Sequence, residues 1–110
     1  GIGINGHIGF NEPGSKIESK TRKVQISNES YKTISKDFKE TNNIPREALT
    51  LGIETILSSY KIYRMAWGNN KSSIIKKAIK GKITSLCPAS YLKTHNDVTY
   101  FLDEMSSSKL

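Results

Sequence analysis

Apolar residues recur along this chain in short stretches whose spacing alternates between two residues and about three and a half. From Arg22 to Ser27 (R-K-V-Q-I-S), Val24 and Ile26 alternate with polar neighbours, which predicts a short half-buried strand. Ser27 or Asn28 can cap the next segment, where Tyr31, Ile34 and Phe38 fall at i, i+3 and i+7 and predict a short amphipathic helix. Residues 40–45 read as a turn, and Ala48-Leu49-Thr50 is too short to assign. Gly52 opens a segment in which Ile53, Ile56 and Leu57 share a helical face. Residues 61–67 (K-I-Y-R-M-A-W) read as a buried strand, with Arg64 out of pattern and Trp67 as core or strand-end packing. Gly68 turns this strand into a helix that Asn69 can cap, with Ile74, Ile75, Ala78 and Ile79 as its buried stripe. Lys76, Lys77 and Lys80 gather toward its C-terminal end, where the helix dipole favours cations, and Gly81 stops it. Pro88 opens a further short helix through Leu92, and 97–103 (D-V-T-Y-F-L-D) is a strand. The tail, 105–110, has little reason to be ordered. Helices alternating with short apolar strands predict an α/β layered fold with a mostly parallel sheet and flanking helices, residues 1–104 forming its body.

Composition narrows the function classes. The chain has 110 residues and 35% hydrophobic content, and no apolar run approaches the ~20 residues that a membrane span needs. It begins without a methionine or a basic-then-apolar leader, so the expectation is neither a secretory signal nor a natural N-terminus. Cys87 is the single cysteine, so no internal disulfide forms and a reducing cytoplasm is the default compartment. The net charge of +7 favours an anionic partner. Its basic residues are spread from Lys16 to Lys109 without a dense block or an aromatic-plus-arginine platform, which argues against nucleic acid.

The densest chemistry lies in the first fourteen residues, G-I-G-I-N-G-H-I-G-F-N-E-P-G. Glycines and a proline here surround Asn5, His7, Asn11 and Glu12, as expected of a strand end running into a loop that presents His7 and Glu12 to a pocket. Three readings compete. One is a glycine-rich turn with an incidental histidine. A second is a dinucleotide fingerprint, since Gly1, Gly3 and Gly6 spell G-x-G-x-x-G, but Asn11, Pro13 and Gly14 would break the helix it requires. The third is a catalytic loop, in which a histidine near neutrality is polarised by a carboxylate five residues on.

The string N-G-H-I-G-F-N-E-P-G, with G-I-G before it, resembles the active-site loop of glucosamine-6-phosphate deaminases. So do S-K-T-R at 19–22, I-P-R-E-A-L-T-L-G at 44–52, A-W-G-N-N-K at 66–71, P-A-S-Y-L at 88–92 and H-N-D-V-T at 95–99. The resemblance runs to about residue 103. The more distant 6-phosphogluconolactonases share the G-x-G-x-x-G-H part but lack Phe10-Asn11-Glu12-Pro13. The resemblance implies a Rossmann-like α/β domain of which this is roughly the C-terminal half. It also implies conversion of glucosamine 6-phosphate to fructose 6-phosphate and ammonia, without metal or organic cofactor. His7 matches the residue that moves a proton between anomeric hydroxyl and ring oxygen, Glu12 matches its carboxylate partner, and Asn5 holds the position that assists ring opening. Lys71 matches the lysine of the G-x-x-K segment that reaches the sugar phosphate. Coupling to Glu12 is expected to tune His7 toward working pH.

The sequence also departs from the family pattern. Position 5 is Asp in some members and Asn in others, and Asn5 cannot take a proton, so it is left to orient His7 or bond the sugar. Lys36 stands where some members carry a phosphate-contacting arginine, keeping the charge without the bidentate fork. The family's phosphate-cradling loop, and the Asp-Glu-Tyr segment whose aspartate removes the C2 proton, have no counterpart in these residues. The expected partners are therefore a sugar phosphate and the N-terminal half of the same domain, with a homo-oligomer left open. Two alternatives stand beside this reading: a non-catalytic sugar-phosphate sensor on the same scaffold, and a lactonase-like sugar-phosphate hydrolase.

Overall fold

The computed structural model describes residues 1–38 and 43–110, so residues 40–42 of the turn expected over 40–45 lie outside the described residues. Among the described residues, four strands pair two by two. The strands β1 (Arg22–Gln25) and β2 (Glu47–Thr50) form an antiparallel ribbon in which Arg22 faces Thr50 and Gln25 faces Glu47. The second pair, β3 (Ile62–Ala66) and β4 (Val98–Leu102), is parallel, with Ile62 opposite Val98 and Ala66 opposite Leu102. Helices α1 (Asn28–Ile34), α2 (Ile53–Leu57), α3 (Ser72–Lys80) and α4 (Glu104–Ser107) lie between or after the strands. The α/β class is as expected. The antiparallel ribbon was not legible, because Glu47–Thr50 has no apolar alternation beyond Ala48.

A parallel pair needs a crossover, and α3 supplies it between β3 and β4. Its Ile74, Ile75 and Ala78 pack with Ile53, Ile62, Ala66, Cys87, Ala89 and Leu92 into the core, and Ile79 flanks them half-buried. The segment after α3 turns at Gly81 and enters a 3-10 helix at Pro88–Thr94 rather than an α-helix ending at Leu92. This core covers one face of the β3–β4 pair.

The uncovered face corrects two expectations. β3 is not buried throughout: Ile62, Arg64 and Ala66 point into the core, whereas Tyr63 and Met65 point outward and are exposed. Trp67 shares their parity and is 67% exposed, so it packs in no core here. Phe101 lies beside Tyr63 on that face, their ring centroids 5.8 Å apart. The helix after β3 also starts differently. Asn69–Lys71 form a 3-10 turn ahead of Ser72, and Asn69 makes no capping bond to a backbone N–H.

The tail forms α4. Asp103 caps it by accepting from the Ser106 N–H at 2.8 Å and ties it to the end of β3 by accepting from the Gly68 N–H. The fully buried Ser106 donates its hydroxyl to the Ala66 carbonyl at 2.9 Å. Hydrophobic periodicity does not register such a helix, because polar bonds hold it in place.

Arg64 is the one charged side chain among the buried polar residues, 6% exposed, and its Nε and Nη2 have no hydrogen-bond partner among the described residues. Burial pulls the guanidinium down to about 10, so it is still charged at neutral pH. An unpaired buried charge costs more than an apolar side chain of similar volume. Arg64→Met is therefore expected to stabilise the 110-residue chain by about 1 kcal/mol or more, read as a higher urea midpoint. A lower midpoint would show that Arg64 is satisfied in solution.

Candidate functional site

Residues 1–14 contain no strand; they fold back on themselves. The Gly3 N–H donates to the His7 carbonyl at 3.1 Å and the Gly6 N–H to the Gly3 carbonyl at 2.9 Å. This turn lays the His7 ring on the Gly3 α-carbon. A β-carbon added to Gly3 would lie 2.1 Å from Cε1, 2.2 Å from Nδ1 and 2.5 Å from Nε2, so only glycine fits. Gly6, at φ 89°, lets the loop turn against Cys87 while its carbonyl accepts from the Ala89 N–H at 2.8 Å. No helix opens at Gly6, which removes the dinucleotide reading.

Asn11 anchors the far end of the loop and is fully buried. Its Nδ2 donates to the carbonyls of Ile8 (2.9 Å) and Leu51 (2.7 Å), and its Oδ1 accepts from Arg22 Nη1 at 2.8 Å. It thus ties the loop to both strands of the ribbon edge. The Phe10 N–H donates to Thr50 Oγ1 at 2.9 Å beside it. A buried amide with its bonds made is a structural part, not a reacting one.

Helix α1 crosses behind the loop. Ser27 caps it, accepting from the Ser30 N–H at 3.1 Å. The expected apolar stripe of Tyr31, Ile34 and Phe38 is only half-buried or exposed, and the buried residue of this helix is Ser30. Ser30 donates a very short hydrogen bond to Glu12 Oε1 and sits 3.3 Å from His7 Nδ1. Polar contacts to the loop, more than apolar burial, fix this helix.

His7 Nδ1 lies 2.8 Å from Asn5 Oδ1 and 3.4 Å from Glu12 Oε2. Its Nε2 has no hydrogen bond among the described residues, and the ring lines a cavity of about 570 Å³. Lys36 and Lys71 line the same cavity, so the structure gathers Asn5, His7, Lys36 and Lys71 around one space. Glu12 departs from expectation: it stands behind His7 and opens instead onto a neighbouring groove lined by Ser15 and Arg22. Lys71 closes the 3-10 turn before α3 and donates to the Ile2 carbonyl at 2.7 Å. Ser30 and Glu29 were missed by the sequence reading. Only their place in the first turn of a helix set them apart, a position where acids and hydroxyls are ordinary.

The electrostatics also correct an expectation. Burial lowers the His7 pKa, and although Glu12 pulls it upward, the net direction is down, with Lys71 and Arg64 adding to the fall. Burial likewise lowers Lys71, Arg64 adding to it. The same cause raises the Cys87 thiol, which suits an inert core cysteine.

Fold and cavity together describe an α/β protein whose glycine-rich loop sets a carboxylate-backed histidine beside two lysines. No protein-family model matches the chain. It is 46% identical over all 110 residues to the glucosamine-6-phosphate deaminase of Lacticaseibacillus paracasei and 44% identical, again over all 110, to that of Mycoplasma mycoides. It covers 47% and 45% of those two proteins, so the chain spans about half the length of the relatives it matches. A solved structure, described as a monomeric glucosamine-6-phosphate deaminase and a missing link of the NagB superfamily, superposes with a TM-score of 0.94 at 39% identity. That match covers 99% of this chain and 45% of the other. The chain belongs to the glucosamine-6-phosphate deaminase family.

Two predictions follow from this geometry. Gly3→Ala is expected to expel the His7 ring from its seat, seen as loss of the His7 side-chain NMR contacts to Asn5. Because the folded-state pKa of His7 is depressed, the unfolded state binds more protons near its ordinary value of about 6.5. The His7 contribution to stability is thus present above pH 6.5 and is lost as pH falls below it. Urea midpoints between pH 7 and 5.5 should fall less steeply in His7→Gln than in the parent.

Proposed function

We propose that this chain supplies the ring-opening and phosphate-anchoring part of an active site that converts glucosamine 6-phosphate to fructose 6-phosphate and ammonia. The observation that carries this reading is the bare Nε2 of His7, backed on its other side by Asn5 and Glu12, in a cavity that Lys36 and Lys71 also line.

Ring opening needs one group that takes the proton from the anomeric hydroxyl and returns it to the ring oxygen as the C1–O5 bond breaks. A neutral imidazole does both through a single nitrogen. The depressed pKa keeps His7 neutral at pH 7, ready to accept first. Glu12 stabilises the imidazolium that forms in between, and Asn5 holds the ring in place. Lys71 and Lys36 hold the phosphate as point charges, Lys71 beside the positive end of α3. With His7 committed to the ring oxygen, removal of the C2 proton falls to a carboxylate base from the upstream half of the domain. The chain needs this half as its partner.

The relatives are named deaminases, which favours this reading over a lactone hydrolase or a non-catalytic sensor. A small phosphorylated substrate and a lone cysteine fit the cytoplasm, and no helix among the described residues is long and apolar enough to cross a membrane.

The test uses the longest natural polypeptide that carries residues 1–110, assayed for ammonia release from glucosamine 6-phosphate. His7→Gln is expected to lower kcat by about 10²- to 10⁴-fold, as loss of a general acid–base does. Lys71→Met is expected to raise KM by about 10- to 100-fold, the value of a charge-assisted bond to phosphate. A parent that releases no ammonia, or a His7→Gln variant as fast as the parent, would overturn the proposal.

A further inference from the structure

Asn5 makes more bonds than a residue that merely touches the histidine. Its Nδ2 donates one N–H to Glu12 Oε2 at 2.9 Å and the other to Glu29 Oε2 at 3.1 Å. Its Oδ1 faces His7, lying 2.8 Å from Nδ1 and accepting from the His7 backbone N–H at 3.2 Å. Turning the amide over would set Oδ1 against two carboxylates, which have no proton to give it, and Nδ2 against a backbone N–H. One orientation alone satisfies all four bonds.

That orientation decides the histidine. Around Nδ1 stand Asn5 Oδ1, Glu12 Oε2 and Ser30 Oγ, whose own proton is given to Glu12 Oε1. Each offers lone pairs and none offers a hydrogen. Nδ1 must therefore carry the proton, which leaves the lone pair on Nε2, the nitrogen with no hydrogen bond among the described residues.

We propose that Glu29 is a positioning residue: together with Glu12 it captures both N–H groups of the Asn5 amide, which fixes the neutral His7 ring as its Nδ1–H tautomer. An asparagine at position 5 suits this arrangement, whereas an aspartate there would place a third carboxylate against Glu12 and Glu29. Glu29 is exposed, on the first turn of α1 at the edge of the same cavity, and its side chain reaches His7 through Asn5 and not by a bond of its own. Besides Glu12, the charged groups that act on His7 are Lys71 and Arg64, and neither bonds Asn5.

The role in ring opening rests on the proposed function; the tautomer does not, and the test separates them. The imidazole nitrogens of His7 are observed by proton–nitrogen NMR in the longest natural polypeptide carrying these residues, at about pH 8, where His7 is neutral. His7→Gln assigns the signal. The parent is expected to show Nδ1–H alone. Glu29→Ala is expected to introduce a measurable share of Nε2–H and to lower kcat by about three- to tenfold with KM unchanged, the scale of one lost solvent-exposed hydrogen bond. Glu29→Gln, which keeps an acceptor, is expected to restore both. Thermal midpoints serve as the control, since an exposed first-turn acid adds little stability. A parent protonated on Nε2, or a Glu29→Ala variant with an unaltered tautomer, would overturn the proposal. A shifted tautomer with unchanged kcat would uphold it and count against His7 as the ring-opening group.

Discussion

The seat of the His7 ring on the bare α-carbon of Gly3 is the contact on which the site depends. An imidazole can lie there only because position 3 has no β-carbon, and the ring atoms fill the space where one would stand. With the ring placed, Nδ1 falls beside Asn5 two residues back, and Nε2 is left to the cavity. Three anchors hold the loop in this shape. The Gly6 carbonyl is bonded to Ala89, the Asn11 amide bridges to Leu51 and Arg22, and Glu12 is pinned by Ser30. Each anchor reaches a different part of the chain. The loop is therefore rigid only when the 3-10 segment, the ribbon and α1 have all folded, which couples the site to the whole fold.

The electrostatics point to an anion. Lys71 and Arg64 both lower the affinity of His7 for a proton, and Arg64 lowers that of Lys71. Gathering like charges around a cavity costs free energy in the unliganded protein, and a phosphate would relieve it. Such a site stabilises the fold when its ligand binds, in proportion to concentration over Kd. The net charge of +7 carries much less information, because most of those lysines are dispersed over the surface. What sets this cavity apart from the basic surface is the partial burial of Lys71, the bond that fixes its ammonium against the Ile2 carbonyl, and the histidine that shares the space.

How much of this was legible in the sequence depended on distance along the chain. Asn5, His7 and Glu12 sit within eight residues, so their chemistry and spacing could be read together. Lys71 stood out only through its match to the lysine of the G-x-x-K segment, its place after a strand and a glycine at a helix start being ordinary for a surface lysine. Glu29 and Ser30 approach the loop from 18 or more residues away, and no local pattern marks a helix whose important face is polar. The same reason hid α4, where Asp103 and Ser106 make bonds that hydrophobic spacing does not record. The errors on Trp67 and β3 have another cause. An apolar run implies burial only where something covers both faces, and here α3 and the Pro88–Thr94 segment cover one.

Chemistry and packing divide along similar lines. The outward face of the β3–β4 pair carries Tyr63, Met65, Trp67 and Phe101, each about half exposed or more, an apolar surface of the kind that domains bury. The chain meanwhile spans about half the length of the relatives it matches. Arg64 stands apart as well, since a guanidinium with two unmatched nitrogens calls for an acceptor that the described residues do not provide. The hydrogen-bond network around His7, by contrast, is complete in itself: histidine, carboxylates, hydroxyl and orienting amide all lie between residues 5 and 30. The part of the site that must be positioned to fractions of an ångström is thus built from near-contiguous residues on one rigid loop and one helix turn. The part that only closes over the substrate can be left to a separate layer.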